Sequence, residues 1–161
     1  MSAAAEWVLH VPGDPVPWAR AGRHGKRYYT KQPVAAHVET VRQAWNAAGR
    51  PRADDDDALL LTLEFVLAHP AGHFGTGRNA GTLRASAPTL HLSKPDIDNL
   101  CKLPLDALTG HLYRDDTQVT SITASKRWCD LDEQPHTTIV VREAPPRGSP
   151  LSLAGENTLS V

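Results

Sequence analysis

Apolar and polar positions divide this chain into six segments with recognisable periods. Trp7 to Val11 alternates and stops at Pro12-Gly13, which predicts a first strand closed by a turn. Val34, Val38, Val41 and Trp45 recur every three or four residues, so Pro33 to Ala48 is predicted helical, with Gly49 and Pro51 ending it. Leu59 to Leu67 is nearly all apolar and reads as a buried strand. A second helix is predicted from Asp96 or Ile97 to Leu108, with Leu100, Leu103, Ala107 and Leu108 on its inner face and Thr109-Gly110 terminating it. Gln118 to Trp128 and Thr137 to Arg142 read as the last two strands. In the former, Val119, Ser121 and Thr123 are predicted on one face and Thr120, Ile122 and Ala124 on the other. The order strand, helix, strand, helix, strand, strand predicts a compact α+β domain, a small mixed sheet with two main helices.

The connections differ sharply in character. Asp14 to Gln32 is rich in Pro, Gly and Arg and is predicted to be a loop. Asp54 to Asp57 is four adjacent carboxylates and reads as a solvated turn. His69 to Lys94 is long and almost free of acids, and a run of that length within a small domain is either functional or mobile. Beyond Ala144 the chain has little to bury, so the domain is expected to span residues 1–144, with 145–161 a disordered tail.

At 161 residues the chain can bury a core without staples. Cys101 and Cys129 show no zinc or disulfide spacing and are expected to be reduced thiols of a cytoplasmic protein. The first seven residues lack a basic start and an apolar run, so no signal peptide is expected, and no stretch is long and apolar enough for a membrane helix. The formal net charge is −1, yet Asp14 to Arg52 holds eight basic residues (Arg20, Arg23, Lys26, Arg27, Lys31, Arg42, Arg50 and Arg52) against Asp14 and Glu39. The acids concentrate later, at Asp54–Asp57 and between Asp96 and Asp116. One region suits a polyanion and another a metal cation.

The stretch Lys94 to Val119 carries the chemistry. Asp96 and Asp98 stand two apart where the second helix begins, and Asp115 and Asp116 follow that helix. Its ends lie about 15 to 20 Å apart, so these carboxylates can meet only if the chain doubles back after Gly110. Magnesium takes a few carboxylate oxygens and keeps several waters, and phosphodiester cleavage needs charge neutralised on the phosphoryl and leaving oxygens. Lys102, one turn after Asp98, is placed to face a phosphate or an attacking water. Bland alternatives compete: Asp98, Lys102 and Asp106 at spacing four also suit a surface ion-pair ladder, Asp96 a helix cap, and Asp115-Asp116 a turn. Pro104 cannot donate to the Leu100 carbonyl and is predicted to kink the helix. His69, His73, His91 and Cys101 match no trusted zinc spacing.

The string Asp96-Ile-Asp-Asn-Leu-Cys-Lys102, followed by Asp106-Ala-Leu and Asp115-Asp-Thr-Gln-Val119, closely resembles the signature of the RusA family of Holliday-junction resolvases. Val11-Pro-Gly-Asp-Pro-Val-Pro-Trp-Ala-Arg20 with Tyr28-Tyr29-Thr30 resembles that family's basic N-terminal loop, and His73 to Ala80 looks like a variant of phage-borne members. The resemblance implies an endodeoxyribonuclease of DNA recombination and repair. It would be a homodimer that binds branched DNA, a four-way junction, and nicks two strands symmetrically, leaving 5′-phosphate ends. It implies Mg2+ as cofactor, with Mn2+ able to substitute. The family's acids fall on Asp96, Asp98 and Asp116, with Asp115 adjacent, and its essential lysine on Lys102. Arg20, Arg23, Lys26, Arg27, Lys31, Arg78 and Lys94 are the expected DNA-binding residues, Trp18, Tyr28 and Tyr29 could stack on unpaired bases, and His73 is a further phosphate contact. The β-strand from Gln118 and the Pro33–Ala48 helix are the expected dimer elements. A nuclease of forks or flaps, a branched-DNA binder that no longer cleaves, and an interaction module with structural aspartates remain the alternatives.

Overall fold

The computed structural model describes residues 5–19, 22–29 and 32–145. It shows a four-stranded mixed sheet covered on one face by two helices, an α+β domain as the periodicities imply. The strands are β1 (Glu6–Pro12), β4 (Leu59–Leu67), β5 (Val119–Trp128) and β6 (His136–Glu143), in the order β1-β6-β4-β5. β6 runs antiparallel to both β1 and β4, whereas β4 and β5 are parallel. The helices are α1 (Gln32–Ala47) and α2 (Ile97–Leu108), and α2 belongs to the crossover that the parallel pair requires.

Alternation decides which face is covered. Leu9 and Val11 of β1, Leu61, Leu63 and Phe65 of β4, and Ile139 and Val141 of β6 are all buried and joined by register. Val34 and Val41 of α1, and Leu100, Leu103, Ala107 and Leu108 of α2, complete the same core. β4 is an interior strand, paired on both edges, and Leu59, Leu61, Leu63, Phe65, Val66 and Leu67 along it are buried.

Two readings need correction. Asp14 to Gln32 is not wholly loop, because β2 (Gly22–His24) and β3 (Arg27–Tyr29) form a hairpin. His24 pairs with Arg27, leaving a two-residue turn in which Gly25 takes the positive φ of 61° that glycine at the first turn position supplies without strain. Second, the faces of β5 are not those of simple alternation. Leu59 pairs with Val119 but Leu61 with Ile122, so a register shift at Leu59/Leu60 puts Val119 and Ile122 on the same side. The Thr120 hydroxyl, beside the shift, donates to the Leu59 carbonyl at 3.2 Å. α2 is continuous from Ile97 to Leu108, with the buried Pro104 inside it.

The stretch after β4 is stitched rather than plain loop. It holds 3-10 turns at Ala71–His73 and Gly77–Asn79, with bridges pairing Phe74 to Leu83 and Leu90 to Arg127. Residues 54–57 form the expected turn, the Asp57 N–H donating to the Asp54 carbonyl at 3.1 Å. Of the tail expected from residue 145, all beyond Pro145 lies outside the described residues. Among the described residues no helix is long and apolar enough to cross a membrane.

Two measurements test this packing. Leu63→Ala should cost about 2–5 kcal/mol in urea unfolding, since Leu63 is fully buried on the central strand. Burial also holds the imidazoles of His37 and His91 below the usual histidine value, Lys126 adding to the effect at His91. The unfolded chain therefore takes up these protons first, so their stabilising share is complete above about pH 6.5 and drains as pH falls below it. Thermal melts should show Tm dropping from pH 7 to pH 5, with a shallower slope in His37→Gln. An equal slope in both proteins would contradict the assignment.

Candidate active site on the crossover helix

Asp96 sits at the N-cap of α2 with extended backbone (φ −73°, ψ 145°), and its carbonyl accepts the Leu100 N–H at 3.1 Å. Its side chain makes no capping bond, so the carboxylate stays exposed and uncommitted. One turn further along, Lys102 and Asp98 stand 3.8 Å apart, both largely exposed. Such a pair contributes about 0.3–0.5 kcal/mol, too little to explain the pair as a stabilising device. Among the described residues no ion pair continues the ladder from Lys102 to Asp106, whose carboxyl instead feels the nearby Trp18 side chain, which favours its ionised form.

Trp18 ties the N-terminal segment to this helix in three ways. Its backbone N–H donates to the Asn99 carbonyl at 2.9 Å, the Lys102 ammonium lies 5.9 Å from the ring centre, and its indole reaches Asp106. That distance is within cation–π range. Desolvation and then the Asp116 charge push the Asp106 carboxyl above its usual pKa, and the Trp18 side chain partly counteracts them. Asp116 and Asp106 are thus near neighbours, although one follows the helix and the other lies on it.

The return of the chain explains that proximity. Gly110 has φ 77°, and its N–H donates to the Tyr113 carbonyl at 2.7 Å. The Tyr113 hydroxyl, in turn, donates to the Leu105 carbonyl at 2.9 Å, with the ring fully buried. The segment so folds back along the last turn of α2 before the 3-10 turn Asp116–Gln118. Burial, then Asp116 and Asp106, raises the Tyr113 hydroxyl far above its ordinary value, so it stays protonated and keeps donating.

The adjacent acids differ. Asp115 caps the 3-10 turn, accepting from the Thr117 N–H at 2.9 Å, and that bond chiefly holds its carboxyl below the usual range. Gln118 completes a capping box and donates to the Asp54 and Asp57 carbonyls at 2.9 and 3.1 Å, tying in the acidic turn. Arg52 and Arg114 lie 3.3 and 3.6 Å from Asp55.

Asp98, Lys102 and Asp106 therefore recur at spacing four along the exposed side of α2, Asp116 beyond the helix is close enough to act electrostatically on Asp106, Asp96 marks the helix start and Asp115 is engaged in a cap. Among the described residues no three His, Cys, Asp or Glu side chains form a group that could by itself hold a metal ion. His69 and His73 pair through their Nδ1 atoms at 2.9 Å, and both rings contact Trp128. Lys26 is exposed in the β2–β3 turn, Arg23 pairs with Tyr28, Arg78 is exposed on its 3-10 turn, and exposed Lys94 stands two residues before Asp96. Arg20 and Lys31 lie outside the described residues, whereas Arg27 begins β3. Sequence reasoning saw Asp106 only as a possible ladder member. Its spacing of four from Lys102 was the available signal, and the influence of Trp18 had none.

A mixed four-stranded sheet whose parallel pair is joined by a crossover helix with Asp98 and Asp106 on its exposed side defines an α+β domain. The chain matches the family described as "Endodeoxyribonuclease RusA" over residues 12–142, and it belongs to that family. A curated relative, "Uncharacterized protein YqaN" of Bacillus subtilis (strain 168), is 39% identical over 51 residues, which is 32% of this chain and 34% of the relative. The match therefore spans about a third of that relative's length.

The electrostatic coupling is directly measurable. In carbon-detected NMR titrations Asp116→Asn should lower the Asp106 midpoint, because a repelling charge is removed. Trp18→Phe should raise it, because an influence favouring the ionised form is lost. No movement in either variant would show the two carboxylates to be independent.

Proposed function

We propose that this chain is a magnesium-dependent, structure-specific endodeoxyribonuclease that resolves four-way DNA junctions by paired symmetric nicks, working as a cytoplasmic homodimer. The observation that carries this reading is the alignment of Asp98, Lys102 and Asp106 at spacing four on the exposed side of α2, with Asp116 acting electrostatically on Asp106 and the Trp18 backbone bonded to Asn99 of the same helix. Membership of the RusA family supports it.

The exposed carboxylates at the start of α2 are of the chemistry that a hard divalent cation takes. Asp96 has no capping bond, Asp98 only a 3.8 Å ion pair, and Asp116 repels Asp106. Magnesium is commonly held by one or two carboxylates together with substrate phosphate and waters, so a complete protein cage is not required. Asp96, Asp98 and Asp116 are the residues assigned to hold it, with Mn2+ able to replace Mg2+. When bound, the cation would supply charge neutralisation for the phosphodiester. Asp115, engaged in its cap, is given a structural part.

This chain's own residues do the rest. Lys102, steadied between Asp98 and the Trp18 ring, presents its ammonium to a phosphate oxygen or the attacking water. Asp106 keeps that side of the helix oriented through Trp18. Arg20, Arg23, Lys26, Arg27, Lys31, Arg78 and Lys94 are assigned to the DNA backbone, and hydrolysis would leave 5′-phosphate ends. In the dimer the α1 face and β5 would form the contact, placing two acid-lined helices against two strands of the junction.

The deciding experiment is cleavage of a synthetic four-way junction, a fork, a flap and a linear duplex, with and without Mg2+. Symmetric nicks on the junction alone, dependent on metal, are expected. Asp98→Asn or Asp116→Asn should lower the rate on the order of a hundredfold or more while junction binding is kept or strengthened, and Asp115→Asn should be far milder. Preference for forks or flaps would reassign the substrate, tight binding without cleavage would make the chain an inactive binder, and neither would sink the reading. Lys26→Ala and Arg23→Ala should weaken binding uniformly across sequences and reduce its salt slope by about one per lost phosphate contact.

A further inference from the structure

The side chain of Lys126, on β5, reaches the segment that precedes α2. Its ammonium donates to the Ser93 carbonyl and to the Pro95 carbonyl, both at 2.8 Å. These carbonyls flank Lys94, and the next residue is Asp96, whose backbone begins the helix. The segment runs beside the outer edge of β5. The Trp128 N–H donates to the Thr89 carbonyl at 3.0 Å, and Leu90 bridges Arg127. Pro95 lacks an N–H and cannot extend a strand ladder. A side-chain ammonium completes by reach what backbone pairing cannot, joining the Ser93 and Pro95 carbonyls through one group.

The anchor itself is held from both sides. Lys126 pairs in register with Phe65 of the central strand, and neighbouring Arg127 is fixed by Glu133 at 2.6 and 2.7 Å and by Glu64 at 3.0 Å. His91, buried and close enough for the Lys126 charge to depress its pKa, packs on Trp128 with ring centres 4.1 Å apart. The carboxylate of Asp96 has no hydrogen bond from the helix N-terminus to orient it. Its position is set by where the backbone arrives.

We propose that Lys126 is a positioning residue, which clamps the Ser93–Pro95 backbone and thereby fixes Asp96 and Asp98 for cation binding. The inference deepens the nuclease reading above and rests on it for its consequence in catalysis. The clamp itself is a property of the chain that can be read without DNA.

The test compares full-length wild type with Lys126→Met, which keeps the aliphatic stem, and Lys126→Arg, which keeps the charge and donors. Amide hydrogen exchange at residues 97–100, Mn2+ affinity by EPR titration with the metal alone, and the kcat and KM of junction cleavage are measured, with thermal melts as the control for folding. Lys126→Met should fold with a Tm near wild type, lose protection at the start of α2, and bind Mn2+ about 10- to 100-fold more weakly. The loss in cleavage should fall on kcat rather than KM, with part of every effect restored in Lys126→Arg. Unchanged protection, or unchanged Mn2+ affinity despite lost protection, overturns the proposal, as does a wild-type chain that takes up no Mn2+. If Lys126→Met fails to fold, Lys126→Arg and Lys126→Gln decide by the same exchange and titration readouts. A wild-type chain that binds Mn2+ but cleaves no branched DNA overturns the nuclease reading alone.

Discussion

Everything at the candidate site follows from β4 and β5 being parallel. Antiparallel neighbours can be closed by a two-residue turn, but parallel ones need a crossover of a dozen or more residues. Here the chain between Leu67 and Val119 makes that crossing, and α2 is its helix. The acids are distributed along this single excursion: Asp96 before the helix, Asp98 and Asp106 on it, and Asp116 after it. Burying Leu100, Leu103, Ala107 and Leu108 against the sheet fixes the helix rotation, and with it the outward side that carries Asp98, Lys102 and Asp106. The hydrophobic face and the charged face are one constraint seen from two sides.

That constraint leaves like charges close together, and the structure offsets the repulsion locally. Asp106 is partly desolvated and faces Asp116, which alone would favour taking up a proton. The indole of Trp18 moves it the other way, and Tyr113 spends its own proton on the Leu105 carbonyl. Asp115, one residue from Asp116, has its charge satisfied by a backbone N–H. Adjacent residues of identical chemistry thus come to differ because one caps a turn and the other does not. The residual repulsion between Asp106 and Asp116 is an electrostatic cost that a bound cation would relieve, which makes it a reason to read the cluster as a site rather than as a solvated surface.

Much of this was legible in the sequence, for reasons that can be stated. The helices and the buried strand have strong periods, and α2 appears between the bounds its apolar spacing and Thr109-Gly110 imply. The carboxylates were visible because acids two apart at a helix start, followed by two more, are unusual in an ordinary surface. What escaped notice depends on three-dimensional return. The β2–β3 hairpin hid in a stretch whose polarity resembled a loop, and the register shift in β5 is set by its partner, not by its own alternation. The influence of Trp18 on Asp106 spans most of the domain in sequence, and Lys126 is one basic residue in a Ser-Lys-Arg-Trp run with no period to mark it.

The near-neutral net charge, a difficulty for any reading that involves DNA, resolves into geometry. Long-range attraction to a phosphate backbone depends on where charges lie, and a Debye length of about 8 Å at physiological salt separates neighbouring patches. Trp18 docks on Asn99 and reaches Lys102 and Asp106, and the basic stretch begins two residues later at Arg20. The same tryptophan that bonds to the helix therefore immediately precedes, in sequence, the segment richest in cations. Under the proposed reading, duplex drawn to that segment would be held at its border with the carboxylates, where a phosphate and a cation could neutralise each other. A chain made uniformly basic would bind more tightly everywhere, but it would lose this boundary, and with it the reason for a scissile phosphate to settle over α2 rather than elsewhere on the surface.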